Sequence, residues 1–159
     1  DEFTSGIPFV KFVDQKYKEL CPGHYNKQKA IALGTNKNYI IEDTSFTTVT
    51  VNKNFRTAVH KDAGDFKDGF GNLIVYREGN YDGGYFVLPE YGVAIDLHNT
   101  DILFVDVHKW HGNTEYINCS DDWLRISFVM YYREYMYKCS SPTKQLDEIK
   151  QERTGYLTL

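Results

Sequence analysis

The sequence predicts a mainly β (α+β) fold, a sandwich or jelly roll braced by N-terminal helices and a C-terminal helix. Three observations carry this. Short apolar or alternating runs recur between residues 46 and 132, punctuated by turn-rich pieces such as Asp68-Gly69-Phe70-Gly71-Asn72 and Tyr81-Asp82-Gly83-Gly84. Ahead of them, apolar residues fall at helical spacing. Behind them, Ser141-Pro142 opens a polar tail with Leu146 and Ile149 apolar, the pattern of a closing helix. The 159 residues, 42% apolar and 16% aromatic, can bury a sizeable core and read as one domain (1–159). Helical support is expected over about 7–40, a jelly-roll core over about 44–137 and the last helix over about 141–152.

In chain order, Pro8 is placed in the first turn of a helix whose Phe9, Val13, Tyr17 and Leu20 share a stripe until Cys21-Pro22-Gly23 stops it. A second helix runs from His24 to Leu33 and ends at Gly34. Strands are expected at Phe46 to Val59, Asn72 to Tyr76, Gly84 to Pro89, Val93 to Leu97, Ile102 to Val107 and Leu124 to Tyr132. Glycine-rich connections at Phe66 to Asn72 and Gly79 to Gly83 read as mobile gates.

No stretch approaches the roughly 20 apolar residues of a membrane span, and Asp1-Glu2-Phe3-Thr4-Ser5 lacks the basic and apolar regions of a signal peptide, so no membrane partner and an intracellular protein are expected. Cys21, Cys119 and Cys139 form no C-x-x-C pair and leave an odd one out, as reduced thiols do. The net charge of −4 divides into +2 over residues 1–40 (six Lys against four acids) and −6 over 41–159 (twelve Lys plus Arg against eighteen acids). That balance argues against a broad non-specific nucleic-acid binder and is compatible with transient binding by an enzyme. Lys11, Lys16, Lys18, Lys27, Lys29 and Lys37 are either phosphate contacts or a solvated helix face.

His60-Lys61-Asp62, followed 51 residues later by His111 and then by Arg125, is the motif with the most chemistry in it. Two imidazoles and one carboxylate bind one face of an octahedral Fe(II) and leave three positions for a chelating co-substrate and O2. An H-x-D triplet alone is common, and the strand around it is what singles this one out. From Thr48 to His60, Val49, Val51, Phe55 and Val59 alternate with Thr50, Asn52, Asn54, Arg56, Ala58 and His60. Amides, a guanidinium and an imidazole in one row suit a bound dicarboxylate better than they suit solvent. In Trp123 to Tyr132, Arg125, Ser127, Val129 and Tyr131 share a face, so two donors for one carboxylate lie at spacing two. His108, three residues before His111, is the competing ligand, with a supporting role the alternative.

The run Thr47-Thr48-Val49-Thr50-Val51-Asn52-Lys53-Asn54-Phe55-Arg56-Thr57-Ala58-Val59-His60-Lys61-Asp62 resembles the iron-binding segment of the TET and base-J-binding-protein dioxygenases, which oxidise the 5-methyl group of pyrimidines in DNA. Gly83 to Ala94, Asp106 to Asn113 and Arg125 to Val129 resemble the same family in the same order, over roughly residues 44–140 and closer to the base-J-binding-protein and viral branch. The resemblance implies a double-stranded β-helix. It implies Fe(II) on His60, Asp62 and His111, the far carboxylate of 2-oxoglutarate on Arg125 and Ser127, Asn52 at its metal-proximal end, and O2 as the oxidant. Arg56 and Asn54 are further candidates for substrate or cofactor contact. The implied partner is DNA presenting a flipped-out thymine or 5-methylcytosine, in cytoplasm, nucleus or, for a viral protein, the host cell. Two alternatives stay open: a 2-oxoglutarate-dependent hydroxylase of a protein side chain or metabolite, and a non-catalytic ligand-binding barrel.

Overall fold

The computed structural model describes residues 2–156, with side chains through residue 152. Helix α1 (Glu2–Leu20) and helix α2 (Pro22–Leu33) come first. Helix α1 starts earlier than the sequence predicts, so Pro8 lies inside it rather than in its first turn. Its buried stripe is Val10, Val13, Asp14 and Tyr17, while Phe9 and Leu20 are exposed. Asp14 belongs in that stripe because its carboxylate accepts bonds from the Ser45 N–H and hydroxyl and from the Tyr25 hydroxyl. Pro22 opens α2 instead of standing outside it.

The strands are β1 (Thr48–Lys53), β2 (Gly71–Glu78), β3 (Asp82–Gly83), β4 (Phe86–Leu88), β5 (Val93–Ile95), β6 (Ile102–Val105), β7 (Gly112–Asn113), β8 (Tyr116–Ile117) and β9 (Leu124–Tyr131). They form antiparallel sheets in the orders β1-β9-β2-β6, β5-β4-β7 and β3-β8. Helix α3 (Pro142–Tyr156) is the last described element, with Leu146 and Ile149 exposed. The mainly antiparallel sheets with flanking helices are the fold the sequence predicts. Three two-residue strands, β3, β7 and β8, escaped it because two residues carry no period.

One face of the four-stranded sheet packs on the helices: Ile74, Met130 and part-buried Val49, Ile102, Phe104 and Phe128 meet Val10, Val13, Tyr17 and Tyr25. The other face meets the three-stranded sheet through Leu73, Val75, Val105 and Val107 against Phe86 and Leu97. Between the sheets this second core gives way to a cavity of about 180 Å³.

The expected strand Phe46 to Val59 stops at Lys53, because Asn54 takes φ 48°, a left-handed conformation that no ladder continues. Residues 54–59 then cross to the other sheet as an irregular arm. The expected core face of this stretch turns outward: Val51, Phe55 and Val59 are 57%, 58% and 50% exposed.

Candidate metal and co-substrate centre

The arm ends in a clasp. The His60 N–H donates to the His111 carbonyl at 2.9 Å, the His111 N–H returns the bond at 3.0 Å, and the Asp62 N–H donates to the Val107 carbonyl at 3.0 Å. Residues 60–62 thereby run antiparallel to 107–111. Gly112 fits here because a Cβ would fall 3.0 Å from the Val59 Cα. Alternation across the clasp sends the two imidazoles inward and Lys61 outward, where its ammonium lies 5.1 Å from the Trp110 ring centre.

Each imidazole is oriented from behind. The Nδ1 of His60 lies 2.8 Å from the Ala58 carbonyl and that of His111 lies 2.8 Å from the Lys109 carbonyl. A carbonyl only accepts, so Nδ1 carries the proton in both rings and each Nε2 presents a lone pair. Those Nε2 atoms stand 3.2 and 3.7 Å from the two oxygens of Asp62, and one ligand atom from each of the three residues lies within 4.8 Å of the others. This is the single such grouping of His, Cys, Asp and Glu among the described residues. Two nitrogens and one carboxylate oxygen converging on one point suit a ferrous ion with open positions. Phe86 stacks on the His111 ring at 5.6 Å and closes the far side. His108 is elsewhere, its ring nitrogens 3.1 Å from Asp106 Oδ1 and 3.2 Å from the Asp65 carbonyl.

Strand β9 lines the same cavity with Arg125, Ser127, Val129 and Tyr131, the face that alternation predicts. Asn52 is the register partner of Ser127 and faces the cavity beside it. Arg125 is 4% exposed, and no acid among the described residues pairs with it; Asp121 and Asp122, its nearest acids in sequence, are exposed. A buried guanidinium without a carboxylate is costly unless a ligand supplies one. A guanidinium fork binds a carboxylate through two parallel N–H bonds.

Two of the candidate contacts stand outside the cavity. Asn54 spends its amide on the backbone, accepting from the Arg125 N–H at 2.7 Å and donating to the Trp123 carbonyl at 3.3 Å. Arg56 is exposed, with Nε donating to the Asn113 carbonyl at 3.5 Å. Four of the six candidate lysines are engaged by other partners: Lys11 with Asp43, Lys16 with Glu19, Lys27 with Asp68 and Lys29 with the Thr44 carbonyl. The expected gate at 66–72 is pinned. The Phe66 N–H donates to the Tyr132 carbonyl, the Phe70 N–H donates to the Tyr17 hydroxyl, and His24 stacks on Phe70 at 3.8 Å. At 79–83, Asn80 and Ser120 exchange bonds and Asn118 donates to Asp82, so that loop is tied down as well.

Asp65 is the cavity residue that sequence reasoning missed. It is 7% exposed, its Oδ2 has no partner among the described residues, and burial, with the nearby Asp62 charge, pushes its carboxyl up to about 7. The signal was there as a second acid three residues after Asp62.

A profile of the Tet_JBP family, described as the oxygenase domain of the 2OGFeDO superfamily, matches residues 5–134. The chain is 45% identical over 124 residues to the bifunctional helicase and thymine dioxygenase JBP2 of Trypanosoma brucei brucei, covering 78% of this chain and 11% of that protein. It is 38% identical over 162 residues to the thymine dioxygenase JBP1 of the same organism, covering 99% of this chain and 19% of the relative. It thus spans between about a tenth and a fifth of the length of these relatives. The solved structure of NgTET1 in complex with 5mC DNA superposes with a TM-score of 0.67 over 87% of this chain and 55% of that one, at 14% identity, which supports the fold. No helix among the described residues is long and apolar enough to cross a membrane. The chain belongs to the Tet_JBP family of oxygenase domains, whose superfamily works with Fe(II), 2-oxoglutarate and O2.

Proposed function

We propose that this chain hydroxylates the 5-methyl group of a pyrimidine in DNA, thymine before 5-methylcytosine, and acts inside the cell where DNA is found. The observation that carries the reading is one cavity holding both the His60–Asp62–His111 convergence and a buried Arg125 without an acid partner. His60, Asp62 and His111 hold the iron. Arg125 and Ser127 hold the far carboxylate of 2-oxoglutarate, and Asn52 lies towards its metal-proximal end. When bound, Fe(II) and 2-oxoglutarate supply the activation of O2 and the insertion of one oxygen atom into a C–H bond.

The protein's own part is placement. The carbonyls of Ala58 and Lys109 fix both imidazoles, and the Phe86 ring excludes water from one side of His111. A duplex base must leave the stack to reach such a cavity, at a cost of a few kcal/mol. Asp65, buried in the same cavity with an unpartnered Oδ2, is the polar side chain we assign to the edge of the base, where thymine carries a C4 carbonyl and 5-methylcytosine an amine. The named activity of the relatives at 38–45% identity favours the same base.

The test is incubation of the protein with Fe(II), 2-oxoglutarate and DNA carrying thymine or 5-methylcytosine, followed by nucleoside mass spectrometry. Hydroxymethyluracil above hydroxymethylcytosine is expected. 2-Oxoglutarate turnover that no DNA stimulates would move the substrate to a protein side chain or metabolite, the reading that a net charge of −4 favours. No binding of iron or 2-oxoglutarate would leave the ligand-binding barrel.

A further inference from the structure

Arg125 and Arg77 are register partners on adjacent strands, so two guanidinium groups share the end of the sheet. They are treated differently. Arg77 is neutralised by Asp96 at 2.7 Å and lies 4.5 Å from the Tyr81 ring centre. Arg125 has no acid among the described residues; the group it faces is Tyr116, whose ring centre lies 5.8 Å from its guanidinium carbon and whose phenol oxygen is also within its influence. We propose that Tyr116 is the positioning residue of Arg125: its ring face sets the direction of the guanidinium fork and so the fit of the far carboxylate of 2-oxoglutarate. The inference rests on the co-substrate reading above.

Tyr116 is itself held from four sides. Strand β8 pairs it with Gly83, where φ is +76° and a Cβ would fall 1.9 Å from the Glu115 carbonyl oxygen. Its ring lies flush on Gly84, where a Cβ would come within 2.2 Å of Cε1. Tyr81 meets it edge-on at 5.6 Å and Trp123 lies tilted against it at 5.1 Å. Its hydroxyl donates to the Phe55 carbonyl at 3.2 Å, tying the ring to the arm that leads to His60. Burial pushes the Tyr116 phenol above its usual value, against the lowering effect of the Arg125 guanidinium beside it, so it stays protonated and remains that donor. A ring so constrained offers the guanidinium one face. Unlike a carboxylate in the same place, an aromatic face attracts the cation without neutralising it, and the charge stays available to a ligand.

The experiment titrates 2-oxoglutarate into the anaerobic Fe(II) protein and follows the metal-to-ligand absorption band, with oxalate as a second probe that chelates the metal and has no far carboxylate. Tyr116→Leu is expected to weaken 2-oxoglutarate about tenfold while leaving iron and oxalate affinity within about twofold. Tyr116→Phe, which keeps the ring, should stay within about threefold of the parent. If the Leu variant does not fold, Tyr116→Met carries the same expectation. An unchanged 2-oxoglutarate Kd, or equal weakening of both probes, overturns the role. Arg125→Ala run alongside separates the two readings: weakening there without weakening in Tyr116→Leu overturns Tyr116 alone, and no weakening in Arg125→Ala overturns the co-substrate reading with it.

Discussion

Strand β9 and the stretch from Thr48 to His60 carry the same alternating pattern and meet opposite fates. In β9 the alternation holds over its whole length, with Arg125, Ser127 and Val129 facing the cavity and Ile126, Phe128 and Met130 facing away. In the earlier stretch it holds to Lys53 and then breaks at Asn54. The difference lies in the neighbours. β9 is bonded on both sides, to β1 and β2, so its pleat is fixed twice, whereas β1 is an edge with a single partner. An edge strand can leave its sheet, and this one does so to carry His60 across the cavity.

The largest effects should come from the end of that arm. His60→Ala, Asp62→Ala and His111→Ala are each expected to abolish iron binding and turnover while leaving the melting temperature of the metal-free protein nearly unchanged. Iron titration with calorimetry and a thermal melt checks both halves, and full activity in any variant would sink the metal assignment. His108→Ala should keep its iron, because its ring is occupied by Asp106 and Asp65.

Asp65 gives a pH signature. Its folded carboxyl is raised from 3.8 to about 7, so the folded state binds the proton more tightly than the unfolded state does. Stability from this group is therefore fully present below about pH 4 and is lost as pH rises to about 7. In the metal-free protein, Asp65→Asn should be the more stable form at pH 8, by at most about 4 kcal/mol, and the gap should close towards pH 4. Denaturant melts at the two pH values measure it, and a pH-independent difference would reject the shifted carboxyl.

Arg125→Ala tests the regular strand. Charge-assisted bonds of roughly 1.5–3 kcal/mol imply at least tenfold weaker 2-oxoglutarate with iron retained, and Arg125→Lys should recover part of the loss. A drop in stability without a change in Kd would mark a structural arginine instead. The smallest effect belongs to the junction. Asn54→Ala loses two side-chain bonds and keeps the left-handed φ, so a loss of about 1–2 kcal/mol is expected, with Asn54→Gly closer to the parent. Equal losses in both would show that backbone strain contributes nothing there.

What the sequence made legible follows the same division. Arg125 and Ser127 were readable because a doubly paired strand obeys its period. His60, Asp62 and His111 were readable from residue type and spacing, although the arm that delivers the first two has no period to read. Asn54 and Arg56 were grouped with them by extending an alternation past a left-handed residue. Asp65 went unnoticed because an acid in a turn-rich stretch looks solvated, and what packs against it, the backbone at Arg133 just past β9 and the His108 ring, is distant in sequence. The pinned loops were read as mobile for a related reason: glycine marks a permissive backbone, and the side chains of Tyr17 and His24 that remove the freedom lie some fifty residues away.

The clasp between His60 and His111 has a thermodynamic consequence. Bringing together residues 51 positions apart carries a loop-closure entropy that grows as about (3/2)RT ln n, and a metal that had to gather its own ligands would bind more weakly by that amount. Here two backbone hydrogen bonds and the sheets behind them have already closed the loop. An ion binding there would meet ligands already gathered, and its stabilisation of the fold would be a mass-action effect that rises with its free concentration.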